Sequence, residues 1–289
     1  MTETEYLARI EGAINEIESI DYNNNWSYEQ VIHSILKIPK LPIILFDEPK
    51  GNSLFRSRIN NGITPYYSVS DISLPNEEFV KSFARANKPK QALFYGSENR
   101  PTSYMEFAMH LAKTTPFNEE VSLTVGKWEI QRNLTFALVF NPTMARDNVY
   151  NNTHGEFFDD FISKTPEELR KGTIKFFEFI GEKYATQVEQ NDIKTYIITC
   201  AYSNIIFAHV QCDGIMYPSI PRAGDAFNVV IKKNAIEEGV LVLKNARIDK
   251  FIARKQSNGK HEFLNNGSKN AKKIENNKIE WNNEWETIR

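Results

Sequence analysis

The chain has 289 residues, a formal charge of −2, 41% hydrophobic and 25% charged residues. That length suits one enlarged domain with terminal additions, and the balanced charge gives no global reason to expect nucleic acid, whose phosphate backbone selects clustered basic surface, while leaving local patches open. No apolar run is long enough to span a bilayer. Only two cysteines, Cys200 and Cys212, occur, and the N-terminus is acidic and amphipathic where a secretory signal would be basic and then apolar. A cytoplasmic protein is therefore expected, and the sequons NLT, NNT and NGS are read as chance.

In chain order, Leu7, Ile10, Ala13, Ile14 and Ile17 recur at helical spacing and predict a first amphipathic helix. Ser27, opening S-Y-E-Q, has the form of a capping box for a second helix carrying Val31, Ile32, Ile35 and Leu36, which Pro39 and Pro42 end. After LFRSRI the pattern turns mixed. Asn76 is placed to cap a helix with Phe79, Val80 and Phe83, and QALFY reads as a short buried strand. RPTSYMEFAMHLAK reads as a helix with the stripe Met105, Ala108, Met109 and Ala112, and VSLTVGKWEI and NLTFALVF read as strands.

NPTMARDNVYNNTHGEFFDD is polar and reads as a surface insertion or loop. A helix follows, with Thr165 as N-cap, Pro166 at its first position, Glu168 completing a box, and Leu169, Thr173, Phe177, Ile180 and Tyr184 on one face. TYIITCAYSNIIF reads as a buried central strand, with His209 beyond it a core histidine. Strands are expected within YPSIPRAGDAFNVVI and GVLVLKNARIDKFI, and an edge strand or two in the Asn- and Lys-rich tail from Lys255.

Candidate chemistry gathers on Arg56 and Arg58 of FRSRI, Arg85, Tyr95, Glu106 and Ser219. Arginine forks grip phosphate oxygens in pairs, a tyrosine offers a flat face to a heterocycle, and a carboxylate stabilises positive charge on a sugar carbon. Each residue also has an ordinary structural role. Glu106 follows Ser103 at capping-box spacing, Arg85 suits a helix dipole, Tyr95 suits a strand end, and Ser219 suits a turn.

Three segments carry a resemblance: FRSRI, then ARANKPKQALFY, with Arg85 and Tyr95 ten apart and Tyr95 and Glu106 eleven apart, then YPSIPRAGDAFNVVI, with Ser219 after a proline and Gly224 and Asn228 following. In this order they resemble the RES-domain family of NAD-degrading toxins, found in RES/Xre-type toxin–antitoxin systems. The likeness spans about residues 54–231. It departs from the family in having Ala84 where glycine is common, in the run Lys88 to Gln91, and in a longer gap from Glu106 to Ser219.

The resemblance implies an α+β fold with an ADP-ribosyltransferase-like mixed sheet flanked by helices. The expected organisation is a helical extension over 1–50, an NAD-binding catalytic domain over 51–235 and a β-rich tail over 236–289. It further implies cleavage of the nicotinamide–ribose bond of NAD, with phosphate, water or a protein as acceptor. NAD is then substrate, phosphate a potential co-substrate, and an antitoxin and a second copy of the chain potential partners; no resident cofactor, metal, membrane or nucleic acid is expected. Arg56 or Arg58 and Arg85 would hold the diphosphate, Tyr95 the nicotinamide end, Glu106 the ribose hydroxyls and the oxocarbenium-like transition state, and Ser219 a ribose or acceptor oxygen, with Asn228 also at the ligand. Nicotinamide leaves neutral, so no strong general acid is needed.

Four alternatives are weighed. HGEFFDD supplies His154, Glu156, Asp159 and Asp160 as metal-ligand types, but no second ligand group matches them. No G-x-G-x-x-G supports a dinucleotide fold of the dehydrogenase kind, and no nucleophile elbow supports a hydrolase. A degenerate, non-enzymatic interaction module is the more serious alternative.

Overall fold

A computed structural model describes residues 1–62, 64–188, 192–220 and 226–286. The chain divides into two compact units, each assembled from separated segments. The first comprises Met1–Glu48, Asn76–Leu93 and Leu134–Lys232; the second comprises Pro49–Pro75, Phe94–Asn133 and Lys233–Arg289. Both combine helices with sheet, so the fold class is α+β.

In the first unit the strands are β1 (Ile44–Glu48), β5 (Leu134–Leu138), β6 (Gly214–Pro218) and β7 (Phe227–Ile231), adjacent in that order. β1 runs antiparallel to β5, β5 parallel to β6, and β6 antiparallel to β7, which makes this sheet mixed. Among the described residues five α-helices accompany it: α1 (Glu3–Ser19), α2 (Ser27–Leu36), α4 (Val149–Lys164), α5 (Glu167–Ala185) and α6 (Ile193–His209). The expected apolar stripe of α1 buries Ile10, Ala13 and Ile17, joined by Tyr6, and packs on α5. Gly172 on α5 permits the approach, because a Cβ there would lie 2.5 Å from Cδ1 of Tyr6. The expected face of α5, from Leu169 to Tyr184, is buried.

Several boundaries and two element types differ from the sequence reading. Trp26, not Ser27, is the N-cap of α2, and Ser27 is buried in its first turn. Thr165 closes α4, its Oγ1 donating to the Phe161 carbonyl at 2.8 Å, and Pro166 is the N-cap of α5. The polar 141–160 segment is largely α4, capped by Asn148, whose Oδ1 accepts from the Asn151 amide at 2.8 Å. Asn151, His154 and Phe158 are buried at helical spacing, a periodicity that the asparagine-rich composition obscured.

TYIITCAYSNIIF is helical, forming most of α6. Its Ile, Thr and Tyr content favours strand, yet Ile197, Ile198, Cys200, Ala201, Tyr202, Ile205 and Ile206 are all buried, and a helix buried nearly all round carries no clear 3.6-residue stripe. His209 is its last residue and is exposed, not a core histidine. Asn76 caps only a single 3-10 turn, Glu77–Phe79, and Phe79 is 79% exposed.

The second unit orders its strands β3 (Phe94–Ser97), β2 (Ser53–Ile59), β4 (Glu120–Ile130), β8 (Leu241–Lys255), β9 (His261–Glu275) and β10 (Lys278–Trp281), with every pair antiparallel. The tail is longer in strand than expected: β9 pairs with β8 from Arg247↔Asn270 to Lys255↔His261. Helix α3 (Arg100–Thr114) packs on β2, β3 and β4, and the short α7 (Lys233–Glu237) precedes β8. Among the described residues no helix is long and apolar enough to cross a membrane.

Candidate functional site

Alternation along β2 sends Leu54, Arg56 and Arg58 to one face and Ser57 to the other. Arg56 stands opposite Gly126 of β4, and the space a side chain there would take is occupied by the Trp128 indole of the same strand, with Leu243 and Ile72 beside it. Its guanidinium lies 5.2 Å from the centroid of Phe94, and Nη1 donates to the Tyr95 carbonyl at 2.7 Å. Arg58 donates from Nη2 to the Ser73 carbonyl at 3.0 Å. The Nε of both arginines is buried without a hydrogen-bond acceptor.

Neither arginine has an ion-paired carboxylate among the described residues. Burial, then the repulsion of Arg58, pushes the Arg56 guanidinium down to about 9, with Tyr95 opposing the shift weakly. Arg58 is lowered too, chiefly by burial and against the pull of Tyr66 and Asp71. A desolvated guanidinium without an ion-paired carboxylate is costly, a cost that an anion beside it would offset.

Tyr95 and Glu106 belong to the same unit. Tyr95, half-buried in β3, meets Arg56 through its carbonyl oxygen. Glu106 is not at a helix mouth. Asn99 caps α3 in an extended conformation, its Oδ1 accepting from the Thr102 amide and hydroxyl at 2.8 Å each, with Pro101 in the first turn. Ser103 is therefore inside the helix, where its Oγ donates to the Arg100 carbonyl at 2.8 Å, and the S-Y-M-E capping box does not form. Ser103 Oγ is also 2.8 Å from Ser57 Oγ, which seats α3 on the face of β2 opposite to Arg56 and Arg58. Glu106, one turn further on, is exposed. Met109, expected in the apolar stripe, lies outside the described side chains.

Arg85, Ser219 and Asn228 belong to the first unit. Arg85 closes the C-terminus of α5, donating from Nη1 to the Lys183 carbonyl at 2.9 Å and from Nη2 to the Thr186 carbonyl at 2.5 Å, with its guanidinium 5.6 Å from the Tyr196 centroid. This is the helix-dipole role, on a helix distant in sequence. Ser219 is fully buried just beyond β6, and its amide donates to the Ala226 carbonyl at 2.8 Å. Asn228, also buried, pairs with Tyr217 across β6 and β7. Gly224 lies outside the described residues.

The segment around Arg85 is fastened from α6. Ser203 Oγ donates to the Arg85 carbonyl at 3.4 Å, Asn204 Nδ2 donates to the Ala86 carbonyl at 3.2 Å, and Gln91 Nε2 donates to Asn204 Oδ1 at 2.8 Å. Reading α6 as a strand concealed these contacts. Helical spacing alone, Cys200 to Asn204, was the available signal. At Lys90 the backbone takes a left-handed φ of 63°, the conformation glycine favours, within the run that departs from the family pattern.

The metal-ligand types of HGEFFDD lie along α4 in other roles. Asp159 accepts both terminal groups of Arg146 at 2.5 and 2.9 Å, Asp160 pairs with Lys164 at 2.6 Å, and His154 is buried against Phe46. No group of three or more His, Cys, Asp or Glu among the described residues is placed to hold a metal ion.

No protein-family model matches the chain, and no curated protein matches it. Among solved structures it is similar to a chain of the M. tuberculosis MbcT–MbcA toxin–antitoxin complex, at 13% identity over 71% of this chain and 85% of that one, with a TM-score of 0.36. At that level the likeness defines neither an activity nor a site.

Proposed function

We propose that the chain cleaves the nicotinamide–ribose bond of NAD, by phosphorolysis or hydrolysis, as a toxin or stress effector of the RES type with an ADP-ribosyltransferase-like fold. The observation that carries this reading is the pair Arg56 and Arg58: two desolvated guanidinium groups on one face of one strand, without a carboxylate partner among the described residues and each with an orphaned Nε. A diphosphate supplies the missing charge and paired acceptors. The RES-like order of the three sequence segments selects NAD among diphosphates.

In this reading Arg56 and Arg58 bind the diphosphate and Tyr95 lies near the nicotinamide end. The family resemblance assigns Glu106 to the ribose hydroxyls and the oxocarbenium-like transition state, although α3 seats on the face of β2 opposite to Arg56 and Arg58, and it assigns Ser219 and Asn228 to ribose or acceptor oxygens. Arg85 orders the segment before β3, its fork being engaged by backbone carbonyls. Because nicotinamide departs as a neutral ring, the bond breaks without a proton donor. An antitoxin that occludes the ligand and a cytoplasmic location belong to the same reading.

The engagement of Arg85 favours one competitor, an interaction module whose NAD chemistry has decayed. Incubating the protein with NAD, with and without phosphate, and identifying the products by mass spectrometry separates them. Release of nicotinamide with ADP-ribose 1″-phosphate or ADP-ribose is expected. Glu106→Ala is expected to slow it by about 10²–10³ while remaining folded. Unchanged NAD, together with no heat of binding at millimolar NAD, would leave the interaction module.

A further inference from the structure

On the α3 face of the second unit, a shallow depression is lined by Phe55, Arg100, Val125, Lys127, Asn245, Ala246 and Arg247. Cross-strand register explains the grouping. Phe55 of β2 pairs with Lys127 of β4, Val125 of β4 pairs with Arg247 of β8, and Arg100 opens α3 three residues after Ser97, the partner of Phe55. Among the described residues, three cations and no carboxylate line it.

Their partners are unequal. Arg247 is anchored, its Nε donating to Asp249 at 2.7 Å and its Nη2 to Ser268 Oγ at 2.5 Å. Arg100 is half-buried, its Nε is buried without an acceptor, and its guanidinium has no hydrogen bond or ion pair among the described residues. Lys127 is exposed and likewise has no ion-pair partner there; its neighbour Glu129 is engaged by Lys244 at 3.1 Å. Like charges gathered on one surface repel unless an anion joins them, and an oxyanion can accept from a guanidinium and an ammonium together.

We infer that Arg100, Lys127 and Arg247 form an oxyanion site that takes a phosphate group, free or as the terminus of a phosphomonoester. The site stands on its own residues and is independent of the NAD reading, since Arg56 and Arg58 project from the other face of β2.

The test is calorimetric titration of the full chain with inorganic phosphate and, separately, with glycerol 3-phosphate, at constant ionic strength. Saturable binding is expected, weakened about tenfold or more by Arg100→Gln combined with Lys127→Gln. Amide shifts mapped by NMR should centre on Arg100, Lys127 and Ala246. Tighter binding of the phosphomonoester would make the site a receiver of a larger ligand's terminus, and equal binding a site for free phosphate. Absence of saturation at tens of millimolar phosphate, or binding lost in Arg56→Gln and retained in the double variant, overturns the assignment.

Discussion

Arg56 reaches the carbonyl oxygen of Tyr95 at 2.7 Å and no carboxylate of the described chain pairs with it. A strand-borne guanidinium is thus held in place by a backbone dipole and an aromatic face, neither of which neutralises it.

Arg56→Gln is therefore expected to keep or raise the melting temperature, because an uncompensated buried charge is removed, while NAD affinity falls about 10- to 100-fold, the worth of one charged hydrogen bond or two. Stability against pH gives a second readout. The folded guanidinium loses its proton near 9, well below the pH at which the unfolded one does. The unfolded chain binds more protons between those values, so this group makes stability rise with pH there. Alkaline denaturation curves of wild type and variant should differ by that rise; identical curves would show that Arg56 is not desolvated.

Arg85→Ala is expected to loosen the end of α5, because two carbonyl contacts of a charged donor are lost. A destabilisation of about 2 kcal/mol is expected in urea. If instead stability is kept and only NAD turnover collapses, Arg85 acts on the ligand and not on the helix.

Asp249 is 2% exposed and accepts from Arg247, Ser268, Tyr104 and Asn265. Burial alone would raise its pKa, but hydrogen bonds from Ser268, Tyr104 and Arg247 outweigh it and hold the carboxyl below its usual value. A depressed carboxylate stabilises the fold above its unfolded pKa, near 4, and that contribution is lost as pH falls through the folded value. Asp249→Asn should cost on the order of 3 kcal/mol at neutral pH and flatten the acid limb of the stability curve. An unaltered acid limb would dissociate the network from stability.

Lys90 holds a left-handed backbone at a cost of about 1 kcal/mol for a residue with a Cβ. Its amide donates to the Val80 carbonyl at 2.8 Å, so the turn is fixed by hydrogen bonding and not by the side chain. Lys90→Gly is expected to leave stability within about 0.5 kcal/mol of wild type, strain relief offsetting unfolded-state entropy. A loss of about 2 kcal/mol or more in denaturant titration would mean that the Lys90 side chain itself holds the segment.

Sequence by itself determined the elements whose pattern is local. The stripes of α1 and α5, the strands around Phe94 and Val125, and the β-rich tail are all legible, because apolar residues spaced at 3.6 or 2 report which face is buried. Tertiary structure alone decided the rest. Ile197 to Ile206 are helical because a helix packed on several sides loses its polar stripe, and propensity then points to strand. Asn99 took the cap of α3 ahead of Ser103 because Ser57, distant in sequence, draws that serine into the packed face. Whether Arg85 serves a helix end, and whether Arg56 has a countercharge, depends on the Lys183 carbonyl and on the absence of an acid partner on the described strands beside it. Those are contacts across long sequence separations, which no local spacing encodes.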